Sequence, residues 1–136
     1  MNIRERQAED LEVVRGLLET GGLPSNGLER TTGWIAEENG QIISHIALEE
    51  ADGVVVLRSL ATTPAAQGRG VARQLMDIAE THTGSRTILL RTKTVGPWVL
   101  RRGYALIASD QVPVSALSTS EFEGSMCSGY PIYMKG

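Results

Sequence analysis

Apolar positions along this chain switch between helical and strand-like spacing, and each switch marks an expected element. After a short strand-like start, Asn2 to Arg6, residues Leu11, Val14, Leu17 and Leu18 recur every three to four positions and describe an amphipathic helix. Gly21-Gly22-Leu23-Pro24 stops it. Ser25 is placed to cap a short second helix running through Arg30. Thr32 to Glu38, Gln41 to Glu49 and Val54 to Thr62 then read as three consecutive antiparallel strands, joined at Asn39-Gly40 and Ala51-Asp52-Gly53. A helix follows from Val71 to Thr83, with Val71, Leu75, Ile78 and Ala79 on one side as for packing on a sheet. Strand Thr87 to Thr92 returns by a crossover, which favours parallel pairing. Val95 to Arg102 suits a short helix, although Gly96 and Pro97 restrict its start. Tyr104 to Ala108 and Tyr130 to Met134 complete the sheet, and the connection Val112 to Glu121 reads as partly helical. The resulting class is α/β (α+β), with residues 1–136 forming a single domain.

Charge and composition narrow the functions open to such a domain. A formal net charge of -3 and 4% aromatic residues supply no basic field for nucleic acid, so none is expected as a partner. One cysteine, Cys127, excludes an internal disulfide, and His45 and His82 are too far apart in sequence for metal-ligand spacing, so no metal is expected. The charged start Met1 to Arg6 does not resemble a signal core, and no apolar run approaches the roughly 20 residues that span a bilayer. The expectation is a cytoplasmic protein without membrane contact, monomer or homodimer.

Chemistry enters with Gln67-Gly68-Arg69-Gly70-Val71-Ala72, between the third of those strands and the helix that follows. Lacking Cβ atoms at 68 and 70, the backbone can close on an anion, and the unpaired N–H groups of the helix start add to the attraction. Arg69 and Arg73 flank this point with guanidinium forks suited to phosphate. The string is not a P-loop, which needs Gly-Lys-Ser/Thr after four residues, nor a G-x-G-x-x-G dinucleotide fingerprint. With Gln67, Gly70 and Ala72 at its specified positions, it resembles the Q/R-x-x-G-x-G/A pyrophosphate loop of the GNAT N-acetyltransferases. Leu57 to Pro64 ahead of it, and Thr87 to Thr92 and Trp98 to Tyr104 after it, are similar to three further blocks in that family's order.

The resemblance implies a GNAT-like mixed, mostly antiparallel sheet of six to seven strands, flanked by about four helices, with strands 4 and 5 splayed apart. It also implies acetyl-CoA as cosubstrate. Residues Gln67, Gly68, Arg69, Gly70, Val71, Ala72 and Arg73 would then hold the pyrophosphate. Leu60, Ala61 and Thr62 would offer backbone to the pantetheine arm, and Thr92 and Trp98 would lie beside it. Leu23, in the loop between the first helices, would line the acceptor pocket.

Acetyl transfer needs a neutral amine, a polarised thioester carbonyl and often an acid for the leaving thiolate. At the position where the family often carries a tyrosine acid this chain has Val99, leaving Ser59, Tyr104, Tyr130, Thr94 and Tyr133 as alternatives, or a thiolate that leaves unassisted. Where relatives place a strand-four carboxylate it has Val56, leaving Glu49 and His45 as candidate bases. Arg58 shares Val56's side of the strand and points to an anionic or amino-acid-like acceptor, unless it pairs with a neighbouring glutamate on the sheet. Trp34 reads as core, Cys127 as an inert thiol and Arg101-Arg102 as a solvated helix end. A narrower likeness, in Leu57 to Ala61 and the segment from Glu121-Phe122 to Cys127, is to the small acetyltransferases of bacterial arsenic-resistance operons; it implies a small-molecule acceptor, an arsenical or an amino-acid-like amine. The leading expectation is direct attack of a small-molecule amine on acetyl-CoA in a ternary complex. The competing one is an acyl-CoA-binding regulator without catalysis.

Overall fold

The computed structural model describes residues 1–123 and 129–136. Its elements run β1 (Asn2–Glu5), α1 (Leu11–Thr20), β2 (Thr32–Glu38), β3 (Gln41–Ala51), β4 (Val54–Thr62), α2 (Val71–Thr83), β5 (Thr87–Arg91), α3 (Gly96–Arg101), β6 (Ala105–Ile107), α4 (Ser120–Glu123) and β7 (Ile132–Lys135). The seven strands form one sheet in the order β1-β2-β3-β4-β5-β7-β6. β4 and β5 are parallel, as the α2 crossover requires, and the other neighbours are antiparallel. Asn39 and Gly40 take φ of 53° and 75° in the β2–β3 hairpin, the left-handed pair that a tight turn between twisted strands needs.

Strand alternation gives the sheet two differently covered faces. Ile46, Leu48, Val55, Leu57, Ile88 and Leu90 meet Leu75, Met76 and Ala79 of α2 and Val99 of α3 on the first face. On the second, Val54, Val56 and Leu89 meet Val112, Ala116 and Phe122, while Ala47 and Ile35 meet Val14 and Leu18 of α1. Met76, which the expected stripe on α2 omitted, is buried, and Ile78 is only partly so. No helix among the described residues is long and apolar enough to cross a membrane.

Two expectations change. The helix expected from Ser25 to Arg30 is a short 3-10 turn, Leu28–Arg30, entered through Gly27 at φ 69°. The Pro24 and Asn26 carbonyls ahead of it accept N–H bonds from Arg58 at 3.2 and 2.5 Å, and Ser120 fills the space a Cβ on Gly27 would need. That segment is shaped by distant side chains. The last strand begins at Ile132 rather than Tyr130, so Tyr130 stands ahead of it.

Candidate active site

A bulge in β4 opens the site. His45 pairs with Ala61 and Ala47 with Arg58, so Ile46 faces both Ser59 and Leu60, and Ser59 takes a left-handed φ of 59°. Beyond the pair Leu57 and Leu90, β4 and β5 are no longer joined, which leaves the 58–62 edge of β4 facing a gap. This splay occupies the place the family resemblance gives it. A cleft of about 610 Å³ fills the gap, walled on the α2 side by Ile46, Leu57, Met76, Leu90 and Val99. Leu60, Thr62, Gln67, Ala72, Thr92 and Trp98 also line it, as do Ser59, Thr94, Tyr130 and the Gly21–Pro24 loop with Leu23.

At the start of α2 the glycine loop carries its donors unspent. Gly68 and Gly70 take φ of 79° and 80°, a region other residues reach only under strain. None of the N–H groups of residues 68–73 finds a backbone acceptor among the described residues; the first that does is Gln74, donating to the Gly70 carbonyl at 3.2 Å. Consecutive N–H groups at a helix start are a ready anion site, and this one adjoins the cleft through Thr62, Gln67, Ala72 and Trp98. The two flanking arginines differ. Arg69 is turned away and donates to both carboxylate oxygens of Glu38, at 3.1 and 2.5 Å. Arg73 lies over Gly70 and has no ion pair among the described residues. Of the two guanidinium groups, only Arg73's is left without an ionic partner among the described residues.

Charged groups gather where the gap meets the second face. Arg58 and Arg91 each follow a residue of the first face, so alternation turns both to the second. Arg58 was expected to meet an anionic acceptor, but its donors are directed at the protein: Nε to Ser59 Oγ at 2.9 Å, and the terminal nitrogens to Ser120 Oγ at 2.7 Å and to the Asn26 and Pro24 carbonyls. Glu49, a candidate base, is likewise occupied. Its oxygens accept from the Ser120 N–H at 3.1 Å each and from the Ser120 hydroxyl, and it does not line the cleft. Ser120 thus joins Glu49 to Arg58 in a buried staple.

Arg91 and Glu121, both lining the cleft, lay outside the sequence-based site. Arg91, at the end of β5, holds its guanidinium 5.0 Å from the centre of the Phe122 ring, and its buried Nε has no acceptor. Glu121 is only 8% exposed, lines the cleft, and has no hydrogen-bond partner among the described residues. Burial pushes its carboxyl above the ordinary range, against the pull of Arg58 and Arg91, and the charge of Glu49 pushes the same way as burial. For Arg91 a signal existed. It stands one place past the last joined pair of parallel strands, in phase with Arg58. Glu121 had none, because its segment shows no period.

The tyrosines separate cleanly. Tyr104 lies on the first face, donates to Glu80 Oε2 at 2.7 Å and does not line the cleft; burial and that carboxylate hold its hydroxyl far above its usual value. It is not placed to act as the acid. Tyr133 is buried with its hydroxyl where a Cβ on Gly96 would stand. Ser59, Thr94 and Tyr130 remain as hydroxyls facing the cleft. His45 is fully buried outside it, with Nδ1 2.9 Å from the Ser59 carbonyl and Nε2 3.0 Å from Arg6, so Nδ1–H donates and Nε2 accepts. Trp34 packs on the core and meets the His82 ring edge-on. Arg102 is not solvated but paired with Asp77 and Glu80 beneath the Trp98 ring. Cys127 lies outside the described residues.

Comparison with known proteins closes the identification. No curated protein sequence matches the chain. Among solved structures, Rv2747 from Mycobacterium tuberculosis, in complex with CoA and NLQ, matches 99% of this chain and 98% of its own, with TM-score 0.80 and 16% identity. The N-acetylglutamate synthase of Neisseria gonorrhoeae, complexed with coenzyme A and N-acetyl-glutamate, matches 99% of this chain with TM-score 0.77 and 17% identity, and the chain spans 35% of that protein's length. Tetrahymena GCN5 matches over 99% of this chain and 95% of its own, with TM-score 0.75 and 11% identity. At such identities the likeness is one of fold, and it extends over nearly every element described above. The sequence profile described as "Acetyltransferase (GNAT) domain" matches residues 29–105, more than half of the 136, and the chain belongs to the GNAT acetyltransferase family.

Proposed function

We propose that the protein transfers an acetyl group from acetyl-CoA to the amine of a small molecule, with both substrates in the β4–β5 cleft at once. The observation that carries this reading is the run of unspent N–H groups at residues 68–73, opening into the same cleft as the free edge of β4. Those N–H groups and Arg73 suit a pyrophosphate, and the edge of Leu60, Ala61 and Thr62 suits the amides of a pantetheine arm. Thr92 and Trp98 wall the same passage. When bound, acetyl-CoA supplies an activated acyl carbon; the protein's part is to position it, exclude water and manage protons. Ile46, Leu57, Met76, Leu90 and Val99 keep that passage apolar, and Ser59, Thr94 and Tyr130 offer hydroxyls toward a departing thiolate. The solved neighbours named with N-acetyl-glutamate or NLQ favour a small acceptor.

Ala72→Trp tests the reading without forcing a left-handed residue, because Ala72 sits within the first turn of α2 and lines the cleft. Acetyl-CoA at 100 times its Kd should stabilise the wild type by about 2.7 kcal/mol in thermal unfolding, and the variant should fold without responding. An unresponsive, well-folded wild type sinks the proposal. The apolar Val99 at the family's acid position favours one other reading, an acyl-CoA-binding regulator, which would show the stabilisation but acetylate no amine.

A further inference from the structure

Three charged cleft residues, Arg91, Lys93 and Glu121, make no side-chain hydrogen bond or ion pair among the described residues; Lys93 is exposed over the Tyr130 ring, whereas Glu121 is buried and Arg91 half-buried. Arg58 is consumed by the staple to Ser120, Asn26 and Pro24, whereas, among the described residues, the Arg91 Nε is buried without an acceptor and Glu121 is more than nine-tenths buried without a donor. Both line one cleft on one face of the sheet, yet they make no ion pair with each other. A buried carboxylate and a half-buried guanidinium that stay apart are costly unless a ligand carrying both complementary charges bridges them. We propose that Arg91 and Glu121 select an α-amino acid as the acetyl acceptor, Arg91 holding its carboxylate and Glu121 receiving its amino group and taking its proton.

This rests on the acetyl-transfer reading and extends it to the acceptor. A polyamine would bring positive charge against Arg58, Arg91 and Lys93, all of which line the cleft. A simple anion would leave Glu121 unmatched, and the Gly21–Pro24 loop closes that end around a small ligand. Each proton has a destination. The Glu121 carboxylate takes one proton from the substrate ammonium, and the neutral nitrogen attacks the thioester carbonyl carbon. A C–N bond forms as the C–S bond breaks, the second N–H proton passes to the departing sulfur, and Glu121 releases its own to solvent. The products are the N-acetylated amino acid, the CoA thiol and one proton. The groups facing Glu121 are Arg58 from β4, Arg91 from β5 and Glu49 from β3, and burial among them makes its carboxylate a stronger base than in water.

The test compares initial rates on the 20 standard L-amino acids and on the amines left when each loses its carboxylate, for the wild type, Arg91→Gln and Glu121→Gln, with thermal stabilisation by acetyl-CoA measured on all three. The wild type should prefer at least one amino acid over its matched amine by about 100-fold in kcat/KM, and Arg91→Gln should remove that preference by slowing the amino acid far more than the amine. The Glu121→Gln deficit should be large at pH 7 and shrink as pH rises through the amine's own pKa, because a free amine needs no base. Equal rates on the two substrate classes, equal slowing of both by Arg91→Gln, or a Glu121→Gln deficit constant with pH would overturn the proposal. Stabilisation by acetyl-CoA with no turnover of any amino acid would overturn the acceptor assignment alone. No stabilisation of the wild type would overturn the acetyl-transfer reading beneath it.

Discussion

At the scale of single residues, burial decides which ionisable groups serve structure and which remain free for chemistry. His45 and Glu49 stand four residues apart on β3, and both were plausible bases from sequence. The bulge in β4 turns the Ser59 carbonyl onto His45, and Ser120 covers Glu49, so neither reaches the cleft. Burial lowers the His45 pKa to about 4, with Arg6 adding to the effect and the Ser59 carbonyl opposing it. An unfolded histidine protonates near 6.5, so between pH 6.5 and 4 the unfolded chain binds a proton that the folded one refuses. Stability from this group is complete above pH 6.5 and drains away as pH falls toward 4, by about 3 kcal/mol at most. Glu121, pushed upward, works in the opposite direction. Denaturant unfolding of the wild type and of His45→Gln across pH 7 to 4 isolates the histidine as the difference between the curves. Parallel curves would mean that His45 is not held neutral by the fold.

At the scale of elements, the central part of the chain was legible because local signals there agree with tertiary need. β2, β4 and α2 have the bounds their spacing predicts, and α2 is bracketed by Gly70 and Gly84, both at positive φ. The segments that differ answer to distant residues. Residues 24–27 are shaped by Arg58 and Ser120, which no local pattern announces, and the same long-range staple occupies the donors of Arg58 and the carboxylate of Glu49. The loop residues 68–73 were legible because glycine spacing acts locally. Glu121 was not, since its burial comes from packing of a short helix behind β5. The staple should carry measurable energy. Arg58→Leu should cost about 3 kcal/mol, by stranding two carbonyls and unbalancing buried charge, and Ser120→Ala about 1–2 kcal/mol. Because both substitutions break the Arg58–Ser120 bond, the double variant should lose less than their sum, by about 1 kcal/mol in a denaturant cycle. Strict additivity would mean that the two side chains stabilise the fold independently.

At the scale of the molecule, the parting of β4 and β5 makes a passage through the sheet rather than a pit on one side. The α2 face brings the glycine loop and an apolar wall, and the opposite face brings Arg91, Glu121 and the Gly21–Pro24 loop. Substrates approaching from opposite sides can meet in the gap without either having to leave first, so no covalent acetyl-protein is needed to carry the group between them. On the proposed reading, orientation in that shared passage would supply much of the rate, which fits a site where the position of the family's acid holds apolar Val99. Initial rates with both substrates varied should therefore give intersecting double-reciprocal lines, and acetyl-CoA alone should leave the intact protein mass unchanged. Parallel lines, together with a protein heavier by one acetyl group, would place a nucleophile of the chain on the path.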